Sequence, residues 1–326
     1  MCKSAQSKVI CFLIGSLSVF LFSACGITST KAPLTPNEAL PSIDCHEVQH
    51  ASGKTCVPSN PKRLVTLSLP TLANALILGI QPVGSTNHNV QEHIFPKYLE
   101  DKIQETESLG ENAQPSIEKI SLLKADLILG WQRNNSGSYS LLSRIAPTVL
   151  YDWQGTGTWR RYFDFMAKVL GREESAQEAW NNYYERVEAL KDSLENHYAG
   201  KKISFVYFCC NGFGSQALNS FSGSILEDVG LQRPESQAIT SLPYGEISFS
   251  EEDIPKADGD VLFVAAYFES DKAYRNQIME KPLWKSLKAV QQNRVYVVDA
   301  ETWRGGNLIA ANAMIDDLYK HLVNNP

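Results

Sequence analysis

Arginines and aromatic rings recur in one kind of place in this sequence, just past short apolar runs. Trp131 and Arg133 follow residues 126–130, and Trp153, Trp159 and Arg160 follow 148–150. Asn211 follows 203–208, Tyr267 follows 261–264, and Trp303 and Arg304 follow 295–298. Arginine forks grip anionic oxygens in pairs and rings supply broad apolar walls, so the set suits binding. Each residue also has a plainer reading: Trp303 as a core aromatic, Arg133 as a solvated loop charge before Asn134-Asn135-Ser136-Gly137, and Arg160 with Arg161 as the exposed start of a helix. Catalysis finds no footing. Gly212-Phe213-Gly214-Ser215-Gln216 is not a Gly-x-Ser-x-Gly elbow, and no Gly-x-Gly-x-x-Gly opens a helix. The sequence has no convincing His–carboxylate cluster for a metal, and His88 and His93 fall in an expected surface loop.

The apolar runs that place these residues alternate with amphipathic ones, the pattern of α/β architecture built on parallel strands. In the first half, strands are expected at 63–67, 82–84, 126–130 and 148–150, with helices at 71–78, 116–123 and 139–145. In the second half, strands are expected at 203–208, 261–264 and 295–298, with helices at 224–229, around Glu251, at 283–290 and at 307–322. Between the halves, 172–198 lacks Gly and Pro, and Ala176, Trp180, Tyr183, Val187, Leu190 and Leu194 recur at spacings of four and three. That stripe predicts one helix of ~40 Å. The domain reading is therefore a lobe at 61–171, a linking helix at 172–199 and a second lobe at 200–326. Ligands in open α/β sheets sit beyond the carboxyl ends of the strands, where the arginines and rings gather. A helix resists bending more than strand crossings do, so lobe closure of small amplitude is expected.

The amino terminus has a different job. Lys3 and Lys8 flank an apolar run, 9–22, that closes on Ser23-Ala24-Cys25. This reads as a signal peptide over 1–24. Its rival is an uncleaved membrane anchor, since 9–30 carries no charge. The small-small-Cys ending favours cleavage and resembles the bacterial lipobox, with Phe22 where Leu is usual. Cys25 would then be lipidated and hold the protein at a membrane. Residues 25–60 are expected to act as a tether, with 26–40 rich in Ser, Thr, Pro and Ala. Of the 30 basic residues, the leader removes Lys3 and Lys8, leaving 28 against 36 acidic ones; a net −8 excludes a nucleic-acid partner. In an oxidising compartment Cys45 and Cys56 are expected to pair, the rival being a metal site with His46 and His50. Adjacent Cys209 and Cys210 read as buried thiols, a vicinal disulfide or pocket wall.

Four segments, in order, carry a family resemblance: Pro61-Lys62-Arg63-Leu64-Val65-Thr66-Leu67; Leu78-Gly79-Ile80-Gln81-Pro82-Val83-Gly84; Pro115-Ser116-Ile117-Glu118-Lys119-Ile120; and Leu123-Lys124-Ala125-Asp126-Leu127-Ile128-Leu129. The second half adds residues 224–234, 282–290 and 294–299. Together they resemble the periplasmic binding proteins for ferric siderophores, haem and cobalamin that feed ATP-driven importers. The resemblance implies two Rossmann-like lobes joined by one long helix, with a ligand cleft between them and no enzymatic activity. It implies capture of a ferric siderophore of hydroxamate or citrate type. Iron's coordination shell is filled by the siderophore, so no cofactor is expected. The alternative is haem or cobalamin, with Tyr207 or Tyr267 as an axial ligand to haem. It also implies delivery to an ABC permease and its ATPase, by a monomer on the periplasmic side of the membrane. By the same resemblance Glu118 on the first lobe and Glu252 on the second, or Glu251 by a one-residue shift, pair with permease arginines.

Overall fold

The computed structural model describes residues 44–87, 95–240 and 245–324. The leader, Cys25, the 26–40 stretch, His88 and His93 lie outside these residues. The described chain begins with a hairpin, β1 (Cys45–His50) and β2 (Gly53–Pro58), closed by a Cys45–Cys56 disulfide. With both sulfurs committed to that bond, the rival metal site loses two of its four ligands.

The hairpin lies inside the stretch expected to be a tether and corrects that reading for 45–58. His50 is the reason it docks. Its Nδ1 accepts the amide N–H of Leu150 at 3.3 Å and that of Ser52 at 3.2 Å, and its Nε2 meets Thr55 Oγ1 at 2.9 Å. Ala51 N–H donates to Leu150 O at 2.9 Å, which seals the hairpin to the first lobe.

The first lobe is a six-stranded sheet of β3 (Leu64–Thr66), β4 (Gly84–Asn87), β5 (Glu107–Glu111), β6 (Gln114–Pro115), β7 (Leu127–Trp131) and β8 (Thr148–Tyr151). Its order is β6-β5-β4-β3-β7-β8, and every pairing except β5 with β6 is parallel. The second lobe holds β9 (Ile203–Cys209), β10 (Gly212–Gln216), β11 (Glu246–Phe249), β12 (Val261–Ala266) and β13 (Val295–Asp299), in the order β11-β10-β9-β12-β13. Here β9, β12 and β13 are parallel, whereas β10 and β11 run antiparallel. The second lobe is thus a mixed sheet.

Two sequence expectations fail locally, each for a visible reason. No strand is expected over 212–216, yet Gly212–Gln216 forms β10, and a Cβ on Gly214 would fall 2.1 Å from Ile247 O, so only glycine lets β11 approach this closely. The helix expected over 283–290 breaks into two single turns, Pro282–Lys285 and Lys288–Gln291. Asp258 captures the amides of Lys288 and Ala289, which would otherwise continue the first turn.

The Glu173–Tyr198 helix spans 26 residues, ~39 Å, and connects the lobes as one unbroken element. Ala176, Ala179, Tyr183, Val187, Leu190, Leu194 and Tyr198 form its buried stripe. It packs on the Trp159–Leu170 helix of the first lobe and the Leu308–Leu318 helix at the carboxyl end, where Arg186 binds Asn312 at 2.8 Å and pairs with Asp316. One contiguous apolar cluster includes Phe163 and Tyr162, Tyr183 on the strut, and Phe205 and Phe263 in the second lobe. The two lobes therefore share a core as well as a linker.

Candidate functional site

Each lobe builds one wall at the carboxyl ends of its parallel strands. In the first lobe, β7 ends at Trp131, and Trp153 follows β8. The two indoles stack at 4.4 Å between ring centroids and 6° between planes, and both present their faces edge-on to Tyr162. A chain of buried amides holds this wall. Asn135 Oδ1 accepts the Trp131 N–H at 3.1 Å, Asn135 Nδ2 donates to Asn112 O at 2.9 Å, and Thr86 Oγ1 donates to Asn112 Oδ1 at 2.8 Å. Fully satisfied buried polar chains of this kind rigidify what they connect, here the ends of β4, β5 and β7.

In the second lobe the wall centres on Arg304, which follows the single helical turn Ala300–Trp303 after β13. Its guanidinium lies 3.9 Å above the Tyr207 ring and 5.2 Å from that of Tyr267, and it pairs with Glu246 at the start of β11. The side chain is only 13% exposed, and its Nε is buried with no hydrogen-bond partner among the described residues. Burial works against the charge, but the oxygens of Tyr267, Tyr207 and Glu246 outweigh it and hold the guanidinium protonated. Burial in turn pushes the Tyr207 phenol up to about 12, Glu246 adding to the effect and Arg304 opposing it. Burial likewise raises Tyr267. At any physiological pH the result is a cationic fork between two neutral phenols.

The walls meet at the base. A Cβ on Gly306, whose φ is +63°, would come within 3.2 Å of the Trp153 ring, so the indole rests on the backbone just past Arg304. Gly157 abuts Asn219 O so closely that a Cβ there would lie 2.2 Å away, and Trp159 Nε1 donates to Ser224 Oγ at 3.1 Å. Tyr98 OH accepts from Asn307 Nδ2 at 3.1 Å nearby. The arrangement can hold an anionic, oxygen-bearing ligand against aromatic faces.

The structure gathers Trp131, Trp153, Tyr267 and Arg304 around this base and disperses the rest of the expected set. Arg133 sits exposed on the single turn Gln132–Asn135, next to Trp131. Asn211 is exposed at the tip of the β9–β10 turn. Trp303 is not pocket wall: it is fully buried between Phe205 and Phe263, with its indole N–H donating to Asp317 at 2.8 Å. Arg160 is engaged within the protein. It bonds Asp228 at 2.5 Å and lies over Trp159 at 4.3 Å, beside Trp180 and Tyr183, clamping the strut to its neighbours. Trp159 is buried in the same clamp. Glu118, in the first turn of the Ile117–Leu122 helix, and Glu252, in a 3-10 turn, are exposed on separate lobes. Glu251 is engaged by Lys281.

Sequence reasoning missed Glu246, because neither β10 nor β11 is among the expected strands, and it missed the Asn135 and Asn112 relay. Tyr207 was marked only as a haem ligand. Its position two residues before the end of β9 was the available signal, since alternation along a strand puts it on the face shared with Phe205.

A family model described as "Periplasmic binding protein" matches residues 82–302, well over half the chain. The chain belongs to that family. A probable siderophore-binding lipoprotein of Bacillus subtilis, YfiY, is 31% identical over 326 residues, 97% of each chain. The Fe(3+)-citrate-binding protein YfmC of the same organism is 31% identical over 319 residues, covering 96% of this chain and 98% of its own. Among solved structures, Staphylococcus aureus SirA complexed with staphyloferrin B superposes with a TM-score of 0.74 at 29% identity, covering 85% of this chain and 98% of that one. Family members of this kind bind substrates for transport and are not enzymes.

Proposed function

We propose that this protein is the substrate-binding lipoprotein of an ABC importer and captures a ferric siderophore of citrate or hydroxamate type. The observation that carries the reading is Arg304, a nearly buried cation held between Tyr207 and Tyr267 on one lobe, at a base closed by Trp153 from the other. A citrate-type complex wraps ferric ion in carboxylates and hydroxyls and keeps a net negative charge, which a caged guanidinium meets in pairs of hydrogen bonds. The names of the relatives support the class. The wall residues assigned to the ligand are Trp131, Trp153, Tyr207, Tyr267 and Arg304, with Arg133 and Asn211 at the rim. The shared core and unbroken strut favour closure of small amplitude.

Two further roles complete the reading. Cys25 carries the lipid anchor, and Glu118 and Glu252 dock on the permease. Serine at Cys25 should then release the protein from membranes. The capture reading is tested by titrating the mature protein with ferric citrate and a ferric trihydroxamate while following tryptophan emission, since the stacked indoles lie in the wall. Saturable quenching is expected with at least one of them. Haem should give no shifted Soret band; a strong one would move the assignment to haem through Tyr207 or Tyr267.

A further inference from the structure

Strand β9 ends in two adjacent cysteines to which ligand binding gives no role. Cys209 is the last residue of β9, Cys210 and Asn211 make the two-residue turn, and Gly212 pairs back with Cys209. Both turn residues are left-handed, with φ of 59° and 60°. Hairpin turns of this kind favour Asn, Asp and Gly, so Asn211 is at home and Cys210 is not. A disfavoured residue held in such a place points to a use for its side chain. The two Sγ atoms lie 2.6 Å apart, with Cys209 half-buried and Cys210 exposed. Alternation along β9 puts Cys209 on the same face as Tyr207, the ring beneath Arg304. Burial, then Cys210, pushes the Cys209 thiol up to about 12.

We propose that Cys209 and Cys210 form an oxidation site in the cleft wall, where a small disulfide donor converts them to a vicinal disulfide that sets ligand affinity through the turn beside Arg304. The coupling to affinity rests on the ferric-siderophore reading above; the oxidation does not. The Cys45–Cys56 disulfide of the same chain fits maturation where thiols are oxidised. In the first step the exposed Cys210, as thiolate, attacks one sulfur of the donor, forming a mixed disulfide and expelling one donor thiolate. Cys209 then gives up its proton and attacks Cys210 Sγ, expelling the second. Two cysteines are oxidised by two electrons, the donor is reduced to two thiols, and the two protons leave with them.

The test uses the mature chain treated with glutathione disulfide or with a phosphine reductant, and ferric citrate as probe. After the oxidant, the peptide carrying only these two cysteines should lose two hydrogens and resist alkylation. The dissociation constants of the oxidised and reduced forms should differ by about fivefold or more. The Cys209→Ser, Cys210→Ser double variant should bind alike under both treatments. Two thiols still alkylated after oxidation, or equal affinities of the two forms, would overturn the proposal. If ferric citrate binds neither form, the ligand reading fails and the coupling with it, while the alkylation pattern still rules on the disulfide.

Discussion

Replacing Arg304 with Gln removes the cation from between its two rings and leaves Glu246 without its partner. Two consequences can be separated in size. For folding, the pair is half-open on one side, with Glu246 45% exposed, so its loss costs about 1 kcal/mol, and the two ring contacts add about 1 kcal/mol more. That total of ~2 kcal/mol lowers the melting temperature by about 4–8 °C and leaves the protein folded. For binding, Arg304 acts in a nearly dry wall. Truncating one side of a desolvated, hydrogen-bonded charge pair costs about 2–4 kcal/mol, a weakening of about 30- to 1000-fold for ferric citrate. Lysine at the same position keeps the charge but loses the planar fork, and should fall between the two. Isothermal titration on protein shown by circular dichroism to be folded measures the effect. If the Gln variant binds within about threefold of the parent, Arg304 is not the ligand's anchor and the reasoning from burial is wrong.

Methionine at Arg160 should have the opposite profile. It breaks a pair about one quarter exposed on both sides and strips a cation from three rings, so stability should drop by about 2–3 kcal/mol in urea unfolding with ferric citrate affinity unchanged. Acid should loosen the hairpin first. Burial holds His50 below its ordinary 6.5, so the neutral ring is favoured in the folded state; the stability it contributes is present above pH 6.5 and is lost as pH falls through the lower folded value. The protection factor of the Leu150 amide, which donates to His50, should therefore fall as pH drops below 6.5, before global unfolding. Alanine at Glu118 and at Glu252 should each leave ferric citrate affinity intact and reduce stimulation of the permease-bound ATPase, by about tenfold when combined.

The strut and the buried parallel strands were legible because they depend on periodicity alone. The stripe from Ala176 to Leu194 and the unbroken apolar runs at 126–130 and 261–264 admit few other folds, and the structure differs mainly in letting Trp180 stay half-exposed in place of Ala179. What escaped was set by contacts distant in sequence. Gly214 makes a strand only because β11 arrives beside it, Asp258 splits a helix some thirty residues away, and His50 docks a hairpin by reaching Leu150. The candidate site shows the same division. Placing it beyond the strand ends picks out Trp131, Trp153, Tyr267 and Arg304, which lie near one another in the structure, but that rule cannot tell a residue facing the gap from one facing the core. Trp303 and Arg304 are neighbours, and a single turn of helix sends the first into the Phe205–Phe263 stack and the second toward Tyr207.

The most direct test is native mass spectrometry of the mature protein with a panel of ferric citrate, ferric trihydroxamate and ferric triscatecholate complexes, haem and cobalamin. The account predicts a one-to-one adduct whose mass includes iron together with an oxygen-rich, anionic or hydroxamate chelator, and which weakens when Arg304 is replaced by Gln. Retention of haem or cobalamin alone, or of no ferric complex at all, would contradict it.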